Sequence, residues 1–157
     1  MKRYWLLSIV LVLGWWIYGE QSSKELQGRI DNAKTPQALV AVILDNPQAT
    51  ASIAQGTLDV QFDRKAIRTA AKAISGFNLD VARLVPNVFE RFPEITTIRV
   101  VARGPFKDIR GNESTNHMFR ITFTRANAAT IRWKNIVYGN IPRIADNYWV
   151  NPSLLKD

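Results

Sequence analysis

The chain has 157 residues, a formal net charge of +8, one histidine and no cysteine. That length holds one domain with a sizeable core, not two. The missing cysteine excludes disulfides, thiolate nucleophiles and thiolate zinc sites together, and the positive charge favours anionic partners.

Lys2 and Arg3 precede an uncharged run from Tyr4 to Gly19. As a helix this run spans roughly 24 Å, a little short of a bilayer core. Tyr4 and Trp5 at one edge, and Trp15, Trp16 and Tyr18 at the other, suit the two lipid–water interfaces. A cleavable signal peptide needs a small-x-small site, and Ile17-Tyr18-Gly19 and Gln21-Ser22-Ser23 each place a large residue at the outer position. The reading is a signal anchor, a transmembrane helix over 1–19, with its basic flank in the cytoplasm. The rest then faces outward, on a single-pass protein of a bacterial inner (cytoplasmic) membrane. Secretion after signal cleavage is the alternative.

Residues 20–34 read as a helical stalk or linker, polar except for Leu26 and Ile30, with Ser23 as a cap. The extracytoplasmic domain then occupies 35–157. Thr35-Pro36 is a cap followed by proline at the first helical position, which makes the apolar run to Leu44 a helix. Asp45-Asn46-Pro47 ends it. Thr57–Phe62 alternates strictly, as a half-buried strand does. Asp63 is expected to cap a helix that stops at Gly76, and Asp80 to cap the next. In that second helix Val81, Leu84, Val85, Val88, Phe89 and Phe92 share one face. Pro86 lies inside the pattern, and a bend is expected over Ala82–Pro86.

Ile95–Arg103 and Met118–Arg125 alternate as two further strands, joined by a long polar loop, Gly104–His117. Asn127–Val137 reads as a short helix, and the tail over Ile141–Val150 wraps back onto the body. The fold class expected is α+β: a small antiparallel sheet of about three strands, helices on one face, behind an N-terminal transmembrane helix.

No catalytic signature stands out. Asp108, Arg110, Asn112, Glu113 and His117 share one loop, and Asp108, Glu113 and His117 are residue types that bind divalent cations. With Ser114, two of them give the types of a nucleophilic triad, but triads are built from separate rigid elements. A solvated hairpin loop turning at Gly111-Asn112 accounts for all of these residues. Neither a metal nor another cofactor is expected. Trp133, Tyr148 and Trp149 read as packed rings before they read as a ligand platform.

The segments Gly104-Pro105-Phe106-Lys107-Asp108-Ile109-Arg110-Gly111-Asn112-Glu113, Phe119-Arg120-Ile121-Thr122-Phe123, Ile131-Arg132-Trp133-Lys134-Asn135 and Ile144-Ala145-Asp146-Asn147-Tyr148-Trp149 together resemble small lipoprotein-like extracytoplasmic bacterial proteins of unassigned function. This chain lacks their lipid-attachment cysteine. The resemblance implies an outward-facing domain and carries no activity with it.

The alternation of the three strands makes a sharper statement. If Leu58, Val60, Phe62, Ile98, Val100, Ala102, Phe119, Ile121 and Phe123 face the helices, the other face presents Asp59, Gln61, Arg99, Arg103, Arg120, Thr122 and Thr124. Arg99, Arg103, Arg120 and Thr122 are then the candidate partner-binding residues, since arginine forks suit phosphate and carboxylate. The partner would be an anionic lipid, a glycan or an acidic protein, with nucleic acid disfavoured. A solvated face with a cross-strand Asp59–arginine pair is the opposing reading. The function expected is a membrane-tethered, non-enzymatic binding or assembly domain. The alternatives are a tethered envelope enzyme using the Asp108–His117 loop and a subunit of an envelope transfer or secretion apparatus.

Overall fold

The computed structural model describes residues 23–65 and 69–155. The anchor expected over Tyr4–Gly19 lies outside them. Among the described residues no helix is long and apolar enough to cross a membrane. The chain divides into two compact units, Met1–Lys34 and Thr35–Asp157. The first contains helix α1 over 23–32. On it the Gln27 amide donates to Asp31 at 2.9 Å, a one-turn pair.

The second unit corrects the expected sheet. It is α+β, but its sheet has five strands in the order β1-β2-β3-β4-β5, and it is mixed. The strands are β1 (Thr50–Ala54), β2 (Thr57–Asp63), β3 (Thr97–Lys107), β4 (Glu113–Thr124) and β5 (Asn147–Val150). β2 and β3 run parallel, and every other pair is antiparallel. Parallel pairing requires a crossover, and helix α3 (Ala70–Arg91) supplies it.

Helix α2 (Pro36–Ile43) begins as its sequence dictates, the Thr35 hydroxyl accepting from the Ala38 N–H at 3.2 Å. Its buried side chains are Leu39, Val40 and Ile43. β1 and β2 are joined by Gln55-Gly56, both at positive φ (48° and 74°), the geometry of a tight two-residue hairpin. The Gln37 amide covers the outer edge of β1. Its Nε2 donates to the Ala49 carbonyl at 2.7 Å, and its Oε1 accepts from the Ala51 N–H at 2.6 Å. One side chain thereby occupies the groups that a neighbouring strand would pair.

α3 is one 22-residue helix where two were expected. Its cap is Thr69, accepting from the Lys72 N–H at 3.3 Å, and it runs through Gly76, Asp80 and Pro86. Ala73, Phe77, Val81, Leu84, Val85, Val88 and Phe89 are buried along it, a stripe long enough to outweigh the roughly 1 kcal/mol that a helical glycine costs. Gly76 also makes room: a Cβ there would lie 2.7 Å from Nη2 of Arg64. That guanidinium reaches Asp80, one turn further on, at 2.5 Å. Burial pushes the Asp80 carboxyl above its ordinary range, and the Arg64 charge offsets this only in part.

The apolar sheet face meets this helix. Phe77 stacks on Phe119 with centroids 4.6 Å apart, and on Phe62 at 6.5 Å. Tyr148 of β5 turns the same way, its hydroxyl 3.4 Å from Oδ1 of buried Asn78. The expected long loop between β3 and β4 is mostly strand, because pairing continues from Gly104↔Asn116 to Lys107↔Glu113. Pro105 is tolerated there because β2 ends opposite Arg103, leaving that edge of β3 without a ladder. A bulge at Met118 breaks the register: Ala102 faces Phe119 and Arg103 faces His117. Met118 and Phe119 are consequently both buried, where alternation alone would expose one of them. After β4 the chain forms a four-residue helix α4 (Arg125–Ala128) and a 3₁₀ turn over Trp133–Asn135, in place of the helix expected over Asn127–Val137.

Candidate functional site

The ladder decides which arginines are available on the open sheet face. Parallel pairing sets Asp59 opposite Arg99 and Asp63 opposite Arg103. Each becomes a two-point ion pair: Arg99 Nε and Nη2 reach Asp59 at 2.7 and 3.0 Å, and Arg103 Nε and Nη2 reach Asp63 at 2.7 and 3.0 Å. Arg120 is placed differently. Its register neighbours are Val101 and Trp149, so no carboxylate lies across from it. Its guanidinium lies over the Trp149 ring, with Cζ 4.3 Å from the centroid, and it makes no ion pair among the described residues.

A shallow pocket of about 380 Å³ opens here, lined among others by Arg99, Arg120, Thr122, Asn147 and Trp149. Three of the four proposed partner-binding residues thus share one concavity, while Arg103 lies further along the strand with Asp63. The sequence offers Trp149 only as a packed ring or a member of a ligand platform with Trp133 and Tyr148, and does not mark Asn147. Their signal is the alternation Asn147-Tyr148-Trp149-Val150, which as a strand sends Tyr148 inward and Trp149 outward. β5 is held in place by Asp146, which accepts from the Thr124 N–H at 2.7 Å and from the Asn127 amide at 3.1 Å. Desolvation alone would raise the Asp146 carboxyl, but these hydrogen bonds outweigh it, and the net shift is downward.

The loop residues do not converge. Asp108 is the turn's own organiser, accepting from the N–H groups of Arg110 and Asn112 at 2.8 and 2.9 Å and from the Asn112 amide at 2.9 Å. Those bonds, the Asn112 amide first, lower its carboxyl below the ordinary range. Gly111, at φ 85°, completes the turn. Arg110 and fully exposed Ile109 sit at the tip, and Glu113 pairs with Lys107 at 3.4 Å. His117 lies opposite Arg103, five residues down β4 from Asn112, roughly 16 Å at the rise of a strand. Asp108 and His117 therefore belong to different ends of the hairpin, and Ser114 bonds the Asn116 amide at 2.9 Å. Among the described residues no three His, Cys, Asp or Glu side chains are grouped to hold a metal ion. Nor do Trp133, Tyr148 and Trp149 form one platform. Trp133 packs edge-on to Phe123 at 5.5 Å, and its N–H donates to the Ala128 carbonyl at 3.0 Å.

No family model, curated protein or solved structure matches the chain, and these comparisons neither support nor oppose the resemblance to lipoprotein-like proteins.

Proposed function

We propose that the chain is a membrane-tethered extracytoplasmic binding domain, non-enzymatic, which docks an acidic glycan on its open sheet face. The observation that carries this reading is Arg120, laid flat on Trp149 with no carboxylate of its own, inside a pocket that also holds Thr122 and Asn147. A guanidinium fixed by stacking loses little freedom when it takes a carboxylate. Thr122 and Asn147 supply a hydroxyl and an amide for sugar hydroxyls, and Trp149 supplies ring surface. Asp59 and Asp63 on the same face oppose a polyanionic plane, which favours a discrete charged sugar over a lipid surface. The tether rests on the uncharged Tyr4–Gly19 run behind Lys2 and Arg3. Against the alternative of a tethered enzyme stands the separation of Asp108 from His117.

The test is calorimetric titration of the full chain in detergent with a uronic-acid oligosaccharide, with phosphatidylglycerol vesicles and with a glutamate-rich peptide. The oligosaccharide should bind, and Arg120→Gln should weaken it about tenfold, the worth of one good charged contact. Arg110→Gln at the hairpin tip should change nothing. Absence of oligosaccharide binding, equal oligosaccharide binding by Arg120→Gln, or vesicle or peptide binding that Arg120→Gln abolishes would sink the reading.

A further inference from the structure

A second cleft lies on the helix side of the sheet, about 770 Å³ in volume, between the Pro86 region of α3 and the segment around Trp133. We infer that it is a docking groove for an extended acidic peptide segment of a partner protein that carries an apolar side chain. This inference does not depend on the sheet-face pocket.

The charges come first. Arg83, Arg132 and Lys134 line the cleft, are exposed, and make no contact-distance ion pair among the described residues. Glu90 is the one acid in the lining. The cleft is therefore net cationic, and none of its cations is held in a contact ion pair, unlike Arg99 and Arg103, although Arg83 also acts on Asp80 through space.

The floor is apolar. Ala82, Pro86 and Trp133 contribute to it, and the indole N–H is already committed to the Ala128 carbonyl, so Trp133 offers the cleft ring surface and no donor. Tyr138 in the lining and Val137 beside it in sequence are exposed at 44% and 67%, which extends the apolar surface past the cleft. Anionic groups bound at the rim would thus be accompanied by an apolar group on the floor.

The charge pattern and the floor decide the ligand class. Asn87 lines the cleft and spends its Nδ2 on the Arg83 carbonyl at 2.8 Å, which leaves its Oδ1 as an acceptor. That acceptor matches an N–H of an extended peptide; a phosphate brings neither such a donor nor an apolar group for the floor. Acidic side chains toward Arg83, Arg132 and Lys134, an apolar side chain against Trp133, and an N–H toward Asn87 describe one consistent occupant.

Fluorescence anisotropy of the full chain in detergent tests this with a labelled extended peptide centred on Glu-Phe-Glu and its Gln-Phe-Gln counterpart. The acidic peptide should bind saturably, and more weakly at physiological than at low salt. The glutamine peptide and an Arg132→Gln/Lys134→Gln variant should each reduce affinity by about tenfold or more. Both substituted residues are exposed, so the fold should persist. Arg120→Gln should leave this binding unchanged, which separates the cleft from the sheet-face pocket. Absence of saturable binding, equal binding of the glutamine peptide, or binding that survives the double substitution would each overturn the inference.

Discussion

The open sheet face and the Pro86 cleft both carry basic side chains, but the fold compensates most of them on the sheet and leaves them without contact ion pairs in the cleft. On the sheet, a ladder fixes which side chains are neighbours. β2 and β3 pair so that Asp59 and Asp63 fall opposite Arg99 and Arg103, and two of the three arginines are neutralised within the fold. Arg120 escapes because its neighbours on both sides, Val101 and Trp149, cannot take a charge. In the cleft, Arg132 and Lys134 sit on an irregular segment that faces a helix, and no register brings a carboxylate to them. Regular pairing lets a sequence compensate its own charges at set positions. Irregular chain leaves them for a partner.

Arg125 ties the two regions together, and removing it is the harshest test of treating them separately. It follows β4 directly, and its guanidinium lies at the C-terminal end of α3. Nη1 donates to the Phe89 carbonyl at 2.7 Å, Nη2 to those of Phe92 and Ile95 at 2.7 Å each, and Nε again to Ile95 at 2.9 Å. Its Cζ also stands 4.8 Å from the Phe89 ring centre. Phe89 and Phe92 lie at the helix end, where carbonyls lack helical donors and the dipole favours a positive charge, and Ile95 lies in the turn that follows. Arg125→Ala should cost about 3 kcal/mol in urea denaturation, since partly buried acceptors lose charged donors. Both sites should weaken together. If one site persists at full affinity, the junction does not position it.

Pro86→Ala separates stability from binding. It returns an N–H to α3 and should stabilise the domain by about 1 kcal/mol, a fraction of the interior proline penalty, because this fold already accommodates the ring. The same change removes the Pro86 ring from the cleft lining, and the acidic peptide should bind a few-fold more weakly. Oligosaccharide binding at the sheet face should not move. A melt that is unchanged or lower would show that Pro86 contributes packing that outweighs its missing bond.

How much of this was legible in the sequence depended on which physical signal each element emits. The inward residues of β2, β3 and β4 could be read because alternation reports burial directly. β1 could not, because Thr50-Ala51-Ser52-Ile53-Ala54 is mostly exposed and its place is set by the turn at Gln55-Gly56 and by Gln37. The outer hairpin reads as a loop for the same reason: exposed strands carry no alternation. Gly76 looked like a helix stop because propensity is local, whereas the apolar stripe that overrides it runs on to Phe89. The mixed sheet was missed with β1 and β5, and because an α3 divided in two did not read as a single crossover. Of the sheet-face site, the outward direction of Arg120 and Thr122 followed from alternation, and an Asp59–arginine pair was foreseeable. That Arg120 alone stays unpaired needs the register. The cleft emitted no signal, since Arg83 and Lys134 lie far apart in sequence and meet only through packing.

Acid distinguishes the two regions by another route. Asp146 holds β5, and therefore Trp149, through its bonds to Thr124 and Asn127. Its carboxyl is lowered in the fold, so its contribution is fully present above the ordinary carboxylate range and is lost as pH falls through the lower folded value. Hydrogen exchange at the Thr124 amide should accelerate in that acid window, relative to intrinsic rates, and Asp146→Asn should remove the pH dependence. Amides within α3 beside the cleft should not follow. Parallel loss of protection in both places would mean that acid acts on the whole domain and not on β5.

Asp59→Asn carries the smallest expected effect on stability and bears most directly on the comparison. The Asp59–Arg99 pair is exposed on both sides, with 43% and 55% of the side chains accessible, so solvent screens it and it contributes roughly 0.2–1 kcal/mol. The melt should fall by no more than that. Binding should change in the opposite sense. Arg99 lines the same pocket as Arg120, and without its carboxylate it becomes a second free guanidinium beside the first. Oligosaccharide affinity should rise a few-fold, with a steeper salt dependence, because one more cation would face the ligand. The sheet face would then behave as the cleft does. If affinity and salt dependence both stay as they are in the parent, the cross-strand pairing is not what limits this face, and the contrast between register-paired and free charge would have to rest on Arg120 alone.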